Sequence, residues 1–149
     1  MATTRQTLGA FGEIRVTKDC ACPRCKRWKT LVRLPTNFKC ADVICDFCGY
    51  LAQIKASTAK NVNDLPKAIL GAAWGPQAAR MQASIYFPLF LVLVTPDARQ
   101  YSIFYLPADL QTPDIFKPRN PLSETARRAG WQGFLYDLTS VKSHFVRLK

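Results

Sequence analysis

Nowhere in the sequence is there an apolar run long enough to cross a bilayer. The most apolar stretch, Tyr86 to Val94, is too short for that and contains Pro88, so it reads as a buried strand. The N-terminal residues MATTRQTLGAFGE carry no apolar h-region and no cleavage-site pattern. The expectation is a cytoplasmic protein of prokaryotic or viral origin whose thiols stay reduced, with no membrane partner. No repeat, low-complexity tract or linker divides the chain, so residues 1–149 are expected to form a single domain. Acidic residues are scarce: 10 Asp and Glu face 21 Lys and Arg, a formal net charge of +11. Such an excess favours a polyanionic partner, nucleic acid before a membrane surface. Histidine is nearly absent, and the single His144 has no evident partner and receives no role. What remains, 149 residues of which 48% are apolar, is enough for a real hydrophobic core and argues against disorder.

Cysteine is where the sequence is rich. Cys22 and Cys25 form one Cys-x-x-Cys, Cys45 and Cys48 a second, and the nineteen residues between them (26–44) fit the spacing of tetrahedral four-cysteine zinc sites. Two knuckles complete a closed tetrahedron without a coordination position for substrate, so a Zn²⁺ here would be structural. Cys20 and Cys40 are left over; either could replace a ligand, but buried inert thiols are the simpler reading. Neither Cys-x-x-Cys has the βαβ context of a redox motif.

Leu8, Phe11 and Ile14 recur at helical spacing and predict a helix over residues 4–17, with Glu13 on it. Strands are predicted over 31–34, 38–44 and 50–56, which makes the second knuckle the turn of a hairpin. Residues 65–83 are rich in Ala, Leu and Met and read as helix, broken at Gly71, Gly75 and Pro76. Strong strand signals follow over 84–95 and 101–106, joined by the turn PDARQ, then a Pro-rich loop, a basic stretch SETARRAGWQG and a last strand over 134–138. The implied fold class is α/β: a mixed sheet flanked by helices, with the zinc knuckle inserted at one end.

Within the hairpin, side chains alternate, so Gln53 and Lys55 share one face while Ile54 points into the core. Asp42 lies on the partner strand and can approach them. Asp42, Gln53 and Lys55 follow the D…(D/E/Q)-x-K pattern of the PD-(D/E)xK nucleases. The residue types suit the chemistry: hard oxygen ligands hold a catalytic Mg²⁺, and the lysine orients the attacking water or stabilises developing charge. The backbone carbonyl of Ile54 is a further oxygen ligand for the ion. By itself the pattern also describes a solvated strand end carrying a Lys beside a Gln.

The combination of CPRC, ADVICDFC, QIK and, downstream, ARRAGWQG followed by DL resembles the catalytic domain of the DpnI family of restriction endonucleases, which cut DNA carrying methylated adenine. The resemblance runs from about Thr7 to the end. It implies a restriction-endonuclease-like fold and a Mg²⁺-dependent DNA endonuclease acting on double-stranded DNA, with dependence on methyladenine an open extension. It further implies Asp42 as first metal ligand, Gln53 where the second carboxylate usually stands, Lys55 as the catalytic lysine, and Glu13, on the first helix, as an additional residue facing the metal. Gln53 departs from the family pattern by removing a charge. The DpnI type carries a further C-terminal winged-helix domain that is not expected here, and the expectation is a loss of sequence specificity; a homodimer or a partner DNA-binding subunit stays open.

Arg127 and Arg128 suit phosphate contacts, and Trp131 suits stacking or wedging against bases; in the resembling family this segment lies near DNA. A structural salt bridge and a core tryptophan are the alternative. Lys26, Arg27, Lys29 and Arg33 either solvate the surface or line a phosphate track. Two other functions remain open at this stage: a zinc-stabilised DNA-binding protein that has lost activity, with Gln53 as the mark of that loss, and a nuclease subunit of a larger complex.

Overall fold

The computed structural model describes residues 4–39 and 41–149, with side chains from Thr7 onward. In chain order the elements are α1 (Thr4–Asp19), β1 (Leu31–Arg33), β2 (Val43–Cys45), β3 (Leu51–Thr58), β4 (Ala68–Ala73), α2 (Trp74–Gln82), β5 (Leu89–Val94), β6 (Tyr101–Leu106), β7 (Phe116–Pro118), β8 (Gly133–Asp137) and β9 (Val146–Arg147). They form two compact units. The first takes residues 1–64, 87–108 and 145–149; the second takes 65–86 and 109–144. The class is mixed α/β, as the sequence implies, and among the described residues no helix is long and apolar enough to cross a membrane.

The first unit is built on a six-stranded sheet of order β1-β2-β3-β5-β6-β9. β3 and β5 are parallel, with Gln53 opposite Leu89 and Thr58 opposite Val94; the other neighbours are antiparallel. A parallel pair needs a crossover, and residues 59–88 supply it. β5 is central, and all six of its residues are buried. Alternation sends Phe90, Val92 and Val94 into one core cluster with Val16, Cys20, Val43, Ala52, Ile54 and Ile103.

α1 lies on this sheet through Leu8, Phe11, Gly12 and Val16, an i, i+3, i+4 stripe continued by Cys20 just past its end; Ile14 sits off that stripe and outside the core cluster. Full burial of Val16 alone is worth about 1.5–3 kcal/mol. The closest approach is at Gly12, where a Cβ would meet the Cβ of Ala56 at 3.0 Å and that of Val92 at 3.6 Å. A side chain there would push the helix off β3 and β5.

The second unit holds an antiparallel sheet of order β4-β8-β7 and α2. Phe116, Phe134 and Tyr136 pack as a tilted aromatic trio, with centroids 5.1–5.9 Å apart. Here the sequence expectation needs correction: residues 65–73 are not helical but run into strand β4, and only Trp74–Gln82 is helix. The Ala- and Gly-rich composition has a packing cause, since the Phe134 ring occupies the space a Cβ on Gly71 would take, 2.4 Å from it. Pro76 is no break, because it falls in the first turn of α2 where its missing N–H costs nothing.

The other differences are smaller. The strand expected over 38–44 shrinks to Val43–Cys45 because Phe38 N–H closes a turn onto the Pro35 carbonyl. The strand expected from residue 84 starts at Leu89, after Ser84 takes a left-handed turn with φ 58°. Strands β7 and β9 were unforeseen; both are edge strands of two or three residues. Gly12→Val should destabilise the protein by about 1–3 kcal/mol through overpacking, read as a lower urea midpoint at unchanged m-value.

Candidate active site

Four sulfur atoms converge where the two knuckles meet. Cys22 Sγ lies 3.6 Å from Cys48 Sγ, Cys25 Sγ lies 3.7 Å from Cys45 Sγ, and all four fall within 4.8 Å of one another. A regular tetrahedron with Zn–S bonds of ~2.3 Å has S···S edges of about 3.8 Å, so the cluster has the size a zinc ion requires. These separations are far beyond a disulfide's, and the described cysteines are free thiols.

Local backbone explains the convergence. In the first knuckle Lys26 N–H donates to Cys22 O at 2.9 Å, with left-handed Lys26 and Lys29 shaping the turn. In the second, Gly49 N–H donates to Cys45 O at 2.8 Å, and Gly49 takes φ 78°, which suits glycine. Cys45 Sγ receives the Cys48 amide at 3.5 Å and lies 3.2 Å from the Thr30 hydroxyl. Burial opposes ionisation of Cys45, but those donors outweigh it and bring the thiol down to about 6. Cys20, buried at the end of α1 and outside the cluster, is pushed up to about 12 by burial, as suits an inert thiol. Cys40 lies outside the described residues.

The second knuckle is the turn of the β2–β3 hairpin. β2 ends on Cys45, β3 begins at Leu51, and the ladder pairs Val43 with Ala52. One step further along that register Asp42 stands opposite Gln53. Its amide donates to Ala52 O at 2.9 Å, and its Oδ2 accepts the Ile54 amide at 2.7 Å. The carboxylate is therefore tied to the backbone between Gln53 and Lys55. Ile54 is buried, while Gln53 and Lys55 are half-buried, in keeping with the alternation.

Glu13 joins them from α1. Its Oε1 lies 3.6 Å from Arg33 Nε on β1. Burial, and then the negative charge of Asp42, raise the Glu13 carboxyl above its ordinary value, against the opposing pull of Arg33 and Lys55. Lys55 is shifted down by desolvation, opposed by Asp42 and Glu13. Glu13, Asp42 and Lys55 thus share one electrostatic neighbourhood. Arg33, which the sequence left between solvation and a phosphate track, is the partner of Glu13; no spacing rule could signal a contact between α1 and β1.

The DpnI family model, described as the Dam-replacing family, matches residues 2–146. The chain belongs to the DpnI family. Membership implies a restriction-type nuclease whose substrate is DNA, and the four-cysteine cluster of this DpnI-family chain is compatible with zinc.

The basic stretch lies in the second unit. Leu122 N–H donates to Trp131 O at 2.8 Å and Gly130 N–H to Leu122 O at 3.0 Å, closing a loop that carries Arg127 and Arg128, both exposed. The Arg128 guanidinium stacks 4.5 Å above the half-buried Trp131 ring, whose edge covers Gly133. His144 is exposed in a 3-10 turn.

The raised Glu13 carboxyl has a consequence for stability. Because it ionises less readily in the fold than in the unfolded chain, its contribution is greatest below the ordinary value of 4.5 and is lost as pH rises from there through the raised folded value. In magnesium-free buffer Glu13→Gln should therefore be more stable than the parent at pH 7.5, and the difference should shrink towards zero as pH falls to 4.5. Paired urea titrations across that range check it.

Proposed function

We propose that the chain is a Mg²⁺-dependent endonuclease that hydrolyses phosphodiester bonds in double-stranded DNA, working from one nuclease domain. The observation that carries this is the hairpin: an Asp carboxylate bound to the amide between a Gln and a Lys, with Glu13 beside it. Two neighbouring carboxylates, one of them with its pKa raised by burial and by the other's charge, fit a divalent cation that would relieve that repulsion. Asp42, Glu13, the Gln53 side-chain oxygen and the Ile54 carbonyl are the ligands assigned to it. When bound, Mg²⁺ supplies Lewis-acid polarisation of the scissile phosphate and acidifies a water. Lys55 would orient the attacking water or stabilise the developing charge, and desolvation shifts its amine below the ordinary lysine value, against the opposing pull of Asp42 and Glu13. Arg127, Arg128 and Trp131 contact the duplex. Family membership supports the further reading that the restriction activity depends on adenine methylation.

The cluster Cys22, Cys25, Cys45 and Cys48 is assigned to one structural Zn²⁺. Reduced, folded protein should contain one equivalent of zinc by elemental analysis, and chelation should both lower stability and abolish cleavage, since the metal closes the hairpin that bears Asp42 and Gln53. Zinc-free protein that is folded and reduced would overturn the assignment.

Lys55→Ala should lower the cleavage rate of plasmid DNA by a factor on the order of 10²–10⁴ while leaving duplex affinity nearly unchanged. Gln53 favours a second reading, a DNA-binding protein of this fold without activity, because an amide removes one charge from the metal site. Plasmid cleavage with Mg²⁺ or Mn²⁺, on methylated and unmethylated substrate, separates the two. In calorimetric titration Asp42→Asn and Glu13→Gln should each weaken Mg²⁺ binding and Gln53→Glu should tighten it; unchanged affinity in all three would remove these side chains from the site.

A further inference from the structure

We infer that the outer face of the paired zinc knuckles is a DNA-docking surface in its own right, distinct from the hairpin residues and from the Arg127 loop. The inference rests on the reading of DNA as substrate and adds where the duplex is held.

Residues 23–32 contain four cations, Arg24, Lys26, Arg27 and Lys29, and no acidic residue. All four are exposed. Among the described residues, Arg24, Arg27 and Lys29 have no carboxylate within ion-pair distance; the salt bridges are Arg33–Glu13 and Arg99–Asp97. The single acid of the second knuckle, Asp46, uses its backbone amide on Thr30 O. Asp46 is exposed, so the paired knuckles set four exposed cations against one exposed acid, a stronger bias than the mixed signs of an ordinary solvated face.

The aromatic content is as unusual as the charge. Trp28 is 63% exposed and Phe47 61% exposed, one on each knuckle. The Arg27 guanidinium carbon lies 3.9 Å from the centre of the Phe47 ring, a contact between the two knuckles, and that of Arg24 lies 5.1 Å from the centre of the Tyr50 ring. Such ring contacts hold a guanidinium in place without using up its N–H donors, and a guanidinium binds phosphate bidentately through those donors. Lys26 and Lys29 both stand at left-handed backbone, φ 64° and 63°, where glycine would be unstrained. Long cations at such positions make sense where their charge is used. Cations interleaved with exposed rings are the composition of a nucleic-acid surface: the cations track phosphates, and Trp28 contacts sugars or base edges.

The test uses zinc-loaded Lys55→Ala protein, which binds without cutting, and fluorescence anisotropy of a labelled duplex between 50 and 200 mM KCl. Arg27→Ala/Lys29→Ala added to it should make the slope of log K against log salt shallower by about 1.8, two lost phosphate contacts at about 0.9 each, so that the parent-to-variant affinity ratio falls about 12-fold over that fourfold salt range. Trp28→Ala should weaken binding several-fold at unchanged slope. Zinc content is measured in every variant. A double variant that keeps its zinc and binds with the parent's affinity and slope overturns the inference. Should the double variant lose zinc, Lys29→Gln decides, with a slope change of about 0.9 expected and none overturning it. Failure of the Lys55→Ala protein itself to bind duplex at any salt would instead bring down the reading of DNA as substrate.

Discussion

The bond from the Ile54 amide to Asp42 Oδ2, 2.7 Å long, is the constraint on which the candidate site depends. It couples an acidic side chain just ahead of β2 to the backbone of β3, and so sets the distance from Asp42 to both Gln53 and Lys55. That coupling holds only while the two strands stay in register. Register here is short: β2 and β3 share the pairs Val43–Ala52 and Ile44–Leu51, too few to hold a hairpin in water unaided. The sulfur cluster at the turn and the burial of Val43, Ala52 and Ile54 under α1 supply what the ladder lacks. Cysteine cluster and hydrophobic core therefore act on the same few residues.

Electrostatics point the same way. Burial shifts Lys55 down and Glu13 up; Asp42 and Glu13 oppose the shift of Lys55, while Asp42 adds to that of Glu13 and Arg33 and Lys55 oppose it. A fold selected only for stability would replace such a group with apolar side chains of similar volume. The site is a local conflict within an otherwise consistent core, which is where chemistry is commonly found.

Much of this was legible in the sequence, for identifiable reasons. The Cys-x-x-Cys pairs, the alternation around Ile54 and the helical spacing of Leu8 and Phe11 are local signals, and each marks its element correctly. The approach of Asp42 to the Gln53–Lys55 face follows from hairpin geometry once the knuckle is seen as a turn. What the sequence hid is non-local. Residues 65–73 look helical because Ala and Leu favour helices, whereas the strand they enter is determined by pairing with the distant β8 and by a phenyl ring over Gly71. The pairing of Glu13 with Arg33, and the close approach at Gly12, likewise exist only when α1 rests on the sheet.

The crossover between β3 and β5 bears on how the chain assembles. The second unit is made of two segments, 65–86 and 109–144, each leaving the first unit and returning to it. No single cut separates the units into two continuous chains, and the parallel β3–β5 pair can close only after some thirty residues have been spanned. Loop closure of that kind grows slowly in free energy but delays the pairing it permits. The β2–β3 hairpin needs only a short turn to close, so with the sulfur cluster bridging that turn it can form before β5 is paired. The sulfur ligands and Asp42 would then meet early, on a nascent scaffold whose central strand, β5, is still to be laid down.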